Sequence, residues 1–257
     1  MPAAVEPELR DYLQDAFETI EWRELQPIVR ELSKKSERTQ ILLRAPERIE
    51  ALTAQEIESL LEQIPVARRQ RSQVWHDADD GAFNRAVASL LHGAEQDLGA
   101  RIAQFLAETQ AINPAKGVEL AGELLHFTFP QRYWLWSRWM YNPESRTGVL
   151  PLLLDGDKEL RGDSLGQTYL RVGRAIVMVT QVEDAKWLFD GGLGATPQDR
   201  PFAIDAFLAT TYAAYVYGVT AWRLTREFHK VLPPLPRLVR RMLGLKTSPQ
   251  STVDSRQ

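Results

Sequence analysis

Cysteine is absent from all 257 residues, which excludes a disulfide framework, thiolate metal sites and a cysteine nucleophile, and fits a reducing compartment. The opening Met1-Pro2-Ala3-Ala4-Val5-Glu6 lacks the basic and apolar regions of a secretory signal, so a cytoplasmic location is expected. No uninterrupted apolar run reaches the ~20 residues of a comfortable membrane span. The most apolar uncharged window, Ala206 to Trp222, is diluted by three tyrosines, three threonines and a glycine, and reads as a buried helix. No repeat of fixed period occurs, which argues against a solenoid.

Familiar chemical signatures are missing too. There is no nucleophile elbow, zinc-binding His-Glu-x-x-His helix or kinase motif. Gly191-Gly192-Leu193-Gly194 lacks the lysine of a phosphate loop and the spacing of a dinucleotide fingerprint, and reads as a connection. Around His76, the run Asp77-Ala78-Asp79-Asp80-Gly81 departs from a calcium loop. Ala78 breaks the alternation of acids, and Val87 stands where the last glutamate belongs. No catalytic residue, metal site or cofactor follows from these patterns.

What is present is an ordinary globular composition, 44% hydrophobic and 25% charged, so the chain can bury a core rather than remain disordered. Its net charge of −3 conceals an asymmetry. Residues 1–64 hold fourteen acids against eight bases, whereas Arg223, Arg226, Lys230, Arg237, Arg240, Arg241 and Lys246 face only Glu227 within 220–246. Such a basic end attracts phosphates, acidic lipid or an acidic protein face. Pairing with the acidic start of its own chain is the competing reading.

Helical periodicity dominates. Apolar residues spaced three and four apart predict helices over Pro7–Ile20, from Trp22, through Ile57–Ile64 behind a Thr53/Glu56 capping box, and from Ala82 to Glu108. Asn113-Pro114 starts another that reaches about Phe127, and Pro130 is placed to open a short aromatic helix to Tyr141. Val149–Leu154 is apolar enough for a strand but has no partner. Helices follow over 164–182 and from Pro201 to about His229. After Pro233-Pro234-Leu235-Pro236 comes a last basic, amphipathic turn or two, Arg237 to Leu243. The expected fold is all-α, a multi-helix orthogonal bundle with an irregular aromatic-rich centre. Its parts would be an acidic helical region (1–65), a basic and polar linker (66–80), a helical core (81–232), a proline-rich then basic segment (233–246) and a disordered tail (247–257).

The densest segment is 124–141, which holds three of the seven tryptophans with Tyr133, Tyr141, Arg132 and Arg138. Indole and phenol groups bury large areas yet require hydrogen-bond partners, so this segment must sit against something specific. It is either the centre of the bundle or an exposed edge. An exposed edge makes Arg132, Trp134, Arg138 and Trp139 contact residues, joined by Arg237, Arg240 and Arg241 from the basic end. His126 ends the preceding helix, where it can cap carbonyls or pack on Tyr133. Asp205 stands alone among apolar residues near a helix start, suited to free amides or to an arginine such as Arg132 or Arg138. His126, Tyr133 and Asp205 are also the candidates for a pocket, should the fold bring them together.

Lys116-Gly117-Val118-Glu119-Leu120-Ala121-Gly122-Glu123-Leu124-Leu125-His126-Phe127, followed by Pro130, Tyr133 and Trp136, resembles a segment of helix-hairpin-helix DNA glycosylases. The similarity covers about a quarter of the chain and implies a helical frame. Two departures go with it. Ser137 occupies the position matched to the catalytic aspartate, and the glycine-rich hairpin is reduced to Gly117. A serine cannot stabilise a developing sugar cation, so the resemblance implies a member without base-excision chemistry.

Taken together, the sequence predicts a non-catalytic binding or accessory protein acting in a larger complex, with a protein partner. The alternative is a nucleic-acid-binding protein that stacks Trp134 or Trp139 on unpaired bases and weakens steeply with salt. An unfamiliar enzyme built on His126, Arg132 and Asp205 is a third reading. An integral membrane role is not expected. Peripheral contact through 223–246 stays open.

Overall fold

Local signals set most helix boundaries. In the computed structural model, which describes residues 22–68, 81–93, 96–109, 113–154, 156, 158–181, 196–223 and 234–245, ten helices form among the described residues. They are α1 (Trp22–Leu43), α2 (Pro46–Glu50), α3 (Ala54–Glu62), α4 (Ala82–His92), α5 (Leu98–Glu108), α6 (Pro114–Thr128), α7 (Val149–Leu153), α8 (Leu165–Thr180), α9 (Arg200–Arg223) and α10 (Leu235–Met242). The only extended pairing among the described residues is an isolated bridge between Asn142 and Thr147, so the protein is all-α. The expected helix over Pro7–Ile20, the glycine run 191–194, His76 with its acids, most of the 66–80 linker and the 247–257 tail lie outside the described residues.

Capping chemistry works as the sequence suggests. The Thr53 hydroxyl accepts from the Glu56 amide while the Glu56 carboxylate accepts from the Thr53 amide, a reciprocal box that opens α3. Asn113, Asp97 and Ser164 each accept a first-turn amide at the starts of α6, α5 and α8.

Three expectations are corrected. The single helix from Ala82 to Glu108 is two, separated after His92 at Gly93. Arg101 explains the break: from α5 it folds back and donates to the carbonyls of Leu90 (2.9 Å) and Leu91 (3.3 Å), satisfying the exposed end of α4 with a buried cation. Val149–Leu154 is no strand, because Val149–Leu153 coils into the short helix α7. The aromatic helix from Pro130 to Tyr141 does not form. Residues 129–132 turn, 133–137 take no regular secondary structure, and 138–140 turn again.

The irregular path has a physical reason. Four consecutive bulky residues cannot all face inward from one helix, whereas an irregular stretch can seat each against its own neighbour. Trp136 is buried against Tyr169, and its indole N–H donates to the Tyr141 carbonyl at 2.9 Å. Trp134 turns to α8, stacks on Tyr169 with ring centres 4.8 Å apart, and lies against Gly173. A β-carbon on Gly173 would come within 2.1 Å of that indole.

Helix α6 is the axle. It packs against α1, α4, α5 and α8, and every residue from Leu120 to Thr128 is buried. A helix apolar on all sides belongs in the middle of a bundle. Residues before and after the expected 66–80 boundary share one apolar core, from Leu25 through Ile64 to Leu245. Helix α10 also returns to this core: Val239 and Leu243 are buried, and the helix packs on α9. No helix among the described residues is long and apolar enough to cross a membrane.

α5 and α8 make their closest approach at Gly99 and Gly166, where a β-carbon on Gly166 would lie 2.6 Å from the Gly99 carbonyl oxygen. Gly166→Ala is therefore expected to lower stability by about 1–3 kcal/mol through overpacking, despite alanine's better helix propensity. Chemical denaturation reads the effect, and an unchanged or higher midpoint would show that the two helices are not pinned there.

Candidate functional site

Two polar assemblies are carried by α6. The first joins α6 to α9: His126 Nε2 lies 2.7 Å from Asp205 Oδ2, and His126 Nδ1 lies 2.9 Å from the Tyr133 carbonyl. A carbonyl only accepts, so Nδ1 carries a hydrogen, and the remaining proton sits between Nε2 and the carboxylate. The imidazole is sheathed by Phe127 and Phe202, whose rings meet it edge-on at 4.9 and 5.7 Å. Burial by itself would push its pKa down, but the Asp205 charge and hydrogen bond, the Tyr133 carbonyl and Glu123 together raise it above the ordinary value. His126 is 1% and Asp205 3% exposed, so no substrate reaches this couple in the folded state.

The candidate pocket of His126, Tyr133 and Asp205 is thus brought together as a sealed core cluster. Asp205 is held by histidine rather than by Arg132 or Arg138, which corrects the expected partner. An arginine would need room for its fork, whereas the end of α6 offers a flat ring at contact distance. Arg132, the third member of the enzyme reading, is exposed and lies over the rings of Phe129 and Tyr133 at 5.8 and 5.6 Å.

The second assembly opens to solvent. A cleft of about 230 Å³ is lined by Glu119 and Glu123 of α6, Trp136, Ser137 and Trp139 of the aromatic segment after it, Pro65 and Val66 beyond α3, and Arg241 and Met242 of α10. Lys35 of α1 neutralises Glu123 from behind at 2.6 Å, both side chains being 6% exposed, and its ammonium also sits 3.9 Å over the Phe127 ring. Glu119 has only a long ion pair, Arg138 Nε at 4.0 Å. Its carboxylate accepts the Arg138 amide at 3.3 Å, while the Arg138 guanidinium bonds Glu144 at 3.2 Å. Burial consequently raises the Glu119 pKa from 4.5 to about 7. The Arg138 amide and charge oppose that rise, and neighbouring Glu123 adds to it. The Ser137 hydroxyl is buried with no hydrogen-bond partner among the described residues.

The remaining contact candidates divide by what already holds them. The Trp134 indole donates to the Tyr169 carbonyl at 3.0 Å and the Trp139 indole to the Met242 carbonyl at 3.3 Å, so both polar edges face inward. Arg240 makes a bidentate ion pair with Glu31 at 2.9 and 2.6 Å, joining the basic end to the acidic start of its own chain. Arg237 is half-buried. Arg241 is exposed and makes no ion pair among the described residues.

Lys35, Glu119 and Glu123 were not singled out from sequence. Their signal was readable: Glu119, Glu123 and His126 follow one another at spacings of four and three on an otherwise apolar helix. Charges inside a buried helix demand partners. No group of three or more histidine, aspartate or glutamate side chains among the described residues is arranged to share a metal ion. No family model, curated protein or solved structure matches the chain, so its function rests on the chemistry of these sites.

Two substitutions probe the assemblies. Asp205→Asn removes one partner of a buried pair and is expected to cost on the order of 3–5 kcal/mol. The folded imidazole holds its proton above the ordinary pKa of 6.5, so the couple's contribution is complete below 6.5. It disappears as pH rises through the higher folded value. Denaturation midpoints measured from pH 5.5 to 8.5 should show the D205N penalty shrinking with pH, and a pH-independent penalty would refute the charged pair. Glu119 has the same sign: its fold-bound proton makes stability fall as pH climbs from 4.5 through about 7. Glu119→Gln should raise stability at pH 8 by on the order of 2 kcal/mol and leave it unchanged near pH 4.5. Equal effects at both pH values would mean that the carboxyl is not perturbed.

Proposed function

We propose that the protein is a non-catalytic, cytoplasmic accessory factor that binds a protein partner within a larger complex. The observation that carries this reading is Arg132. It is exposed, has no ion pair among the described residues, and is braced over the Phe129 and Tyr133 rings at 5.8 and 5.6 Å. Phe129 is held in turn by the edge of His92, 5.6 Å away. A guanidinium fixed on an aromatic shelf loses little further freedom when it meets a carboxylate, which favours docking.

The sealed His126–Asp205 couple supports the same reading, since its ring nitrogens serve the core rather than a substrate. The alternative, a nucleic-acid-binding protein on a degenerate glycosylase-like frame, would use the same guanidinium. It loses ground because Trp134 and Trp139 turn their N–H edges inward, and Trp134 stacks on Tyr169 instead of offering that face to a base.

Recovery of the tagged full-length chain from its native extract, with and without nuclease, tests the proposal. A protein that remains after nuclease and is retained about tenfold less by the Arg132→Glu variant, a change of about 1.4 kcal/mol, is the expected result. Loss of all associated material on nuclease would transfer the conclusion to nucleic acid. Retention unaffected by R132E would remove the aromatic shelf as the contact.

A further inference from the structure

The cleft on α6 holds two opposite charges that do not neutralise each other. Glu119 lies on its floor, 14% exposed, and Arg241 lies on its α10 side, exposed to solvent. No ion pair joins them, although they line the same 230 Å³. Glu123 and Arg138, which lie beside Glu119, have partners of their own. Glu123 belongs to Lys35, and Arg138 reaches Glu144 while touching Glu119 only at 4.0 Å. Trp136 is buried and Trp139 half-buried, and their N–H groups go to the Tyr141 and Met242 carbonyls, so the Trp139 ring turns hydrocarbon surface to the cleft. The buried Ser137 hydroxyl, which also lines the cleft, has no hydrogen-bond partner among the described residues.

We infer that this cleft is a binding site for a compact zwitterion with an apolar body, of the size and charge pattern of a free α-amino acid. Its ammonium meets Glu119 and Ser137, its body lies on Trp139 and Met242, and its anionic end meets Arg241. The volume supports that size. At roughly 30 Å³ per water it holds about eight water-sized units, below the usual range of ~300–1,000 Å³ for larger ligands. An undercompensated carboxyl in a partly dry site is the group that gains most from an incoming ammonium. Burial raises the Glu119 pKa to about 7, more than the Arg138 amide and the Arg138 and Lys116 charges offset. Seating an ammonium there drives Glu119 to ionise, so binding releases a proton. The groups facing Glu119 from its surroundings are Arg138 on the aromatic segment, Lys116 and Glu123 on its own helix, and Arg241 on α10. This inference is independent of the protein-partner reading, because Arg132 lies outside the cleft.

The test is calorimetric titration of the full-length chain with each of the twenty L-α-amino acids at pH 7, in two buffers of different ionisation heat. The expected result is binding of at least one with an apolar side chain, accompanied by uptake of its released proton by buffer. Its amide, which lacks the anion, and its N-acetyl form, which lacks the ammonium, should each bind at least tenfold more weakly. Glu119→Gln and Arg241→Gln should each lose tenfold or more, and E119Q should also abolish proton release. Arg132→Gln should bind as the natural chain does. Absence of binding by all twenty, or a ligand bound equally by E119Q and R241Q, overturns the inference. Failure here with a partner still lost in R132E would leave the accessory reading standing.

Discussion

One proton held between His126 and Asp205 ties the middle of the molecule together. A buried carboxylate without a cation, or a buried imidazolium without an anion, would cost several kcal/mol. Each is acceptable only at contact distance from the other, which fixes α9 against the end of α6. The second ring nitrogen, bonded to the Tyr133 carbonyl, fixes the chain leaving α6 as well. One side chain thereby positions three segments: the axle helix, the long helix α9, and the aromatic stretch between Phe129 and Trp136.

The same rule repeats one turn earlier on α6. Glu123 is neutralised by Lys35, which brings α1 onto the axle and places an ammonium over Phe127. Glu119, a further turn toward the start of the helix, falls at the edge of the buried stretch, where its cation, Arg138, stands off at 4.0 Å. The series from His126 through Glu123 to Glu119 therefore passes from a sealed pair, through a compensated pair, to a carboxyl whose proton is exchanged near neutrality. The cleft lies at the open end of that series. Its location follows from where α6 leaves the core, and its chemistry follows from what the core supplied to the other two charges.

The charge asymmetry of the chain is used within the fold. Arg240 grips Glu31 with both of its terminal nitrogens, and Arg68 donates to the Gly244 carbonyl at 2.6 Å beside the end of α10. These contacts bring α10 back onto the bundle, where it forms one wall of the cleft. The basic end acts first as an internal fastener. Arg138, also exposed, pairs with Glu144, which leaves Arg132 and Arg241 as the exposed guanidinium groups among the seven contact candidates that have no ion pair among the described residues.

Where local chemistry decides, the sequence alone was enough. Thr53 with Glu56, Asn113 with Pro114, and the three-and-four spacing of apolar residues determine helix starts and the all-α class, because a cap or an amphipathic stripe involves only neighbours along the chain. Arg101, eight residues after Gly93, reaches back to the end of α4, and the aromatic stretch leaves the helix because α8 offers Tyr169 and Gly173 as a bed for Trp134. Asp205 meets His126, 79 residues away, rather than Arg132 or Arg138, and Lys35 takes Glu123 while Arg138 stays 4.0 Å from Glu119. Pairing among buried charges depends on which groups meet after packing, and that meeting exists only in three dimensions.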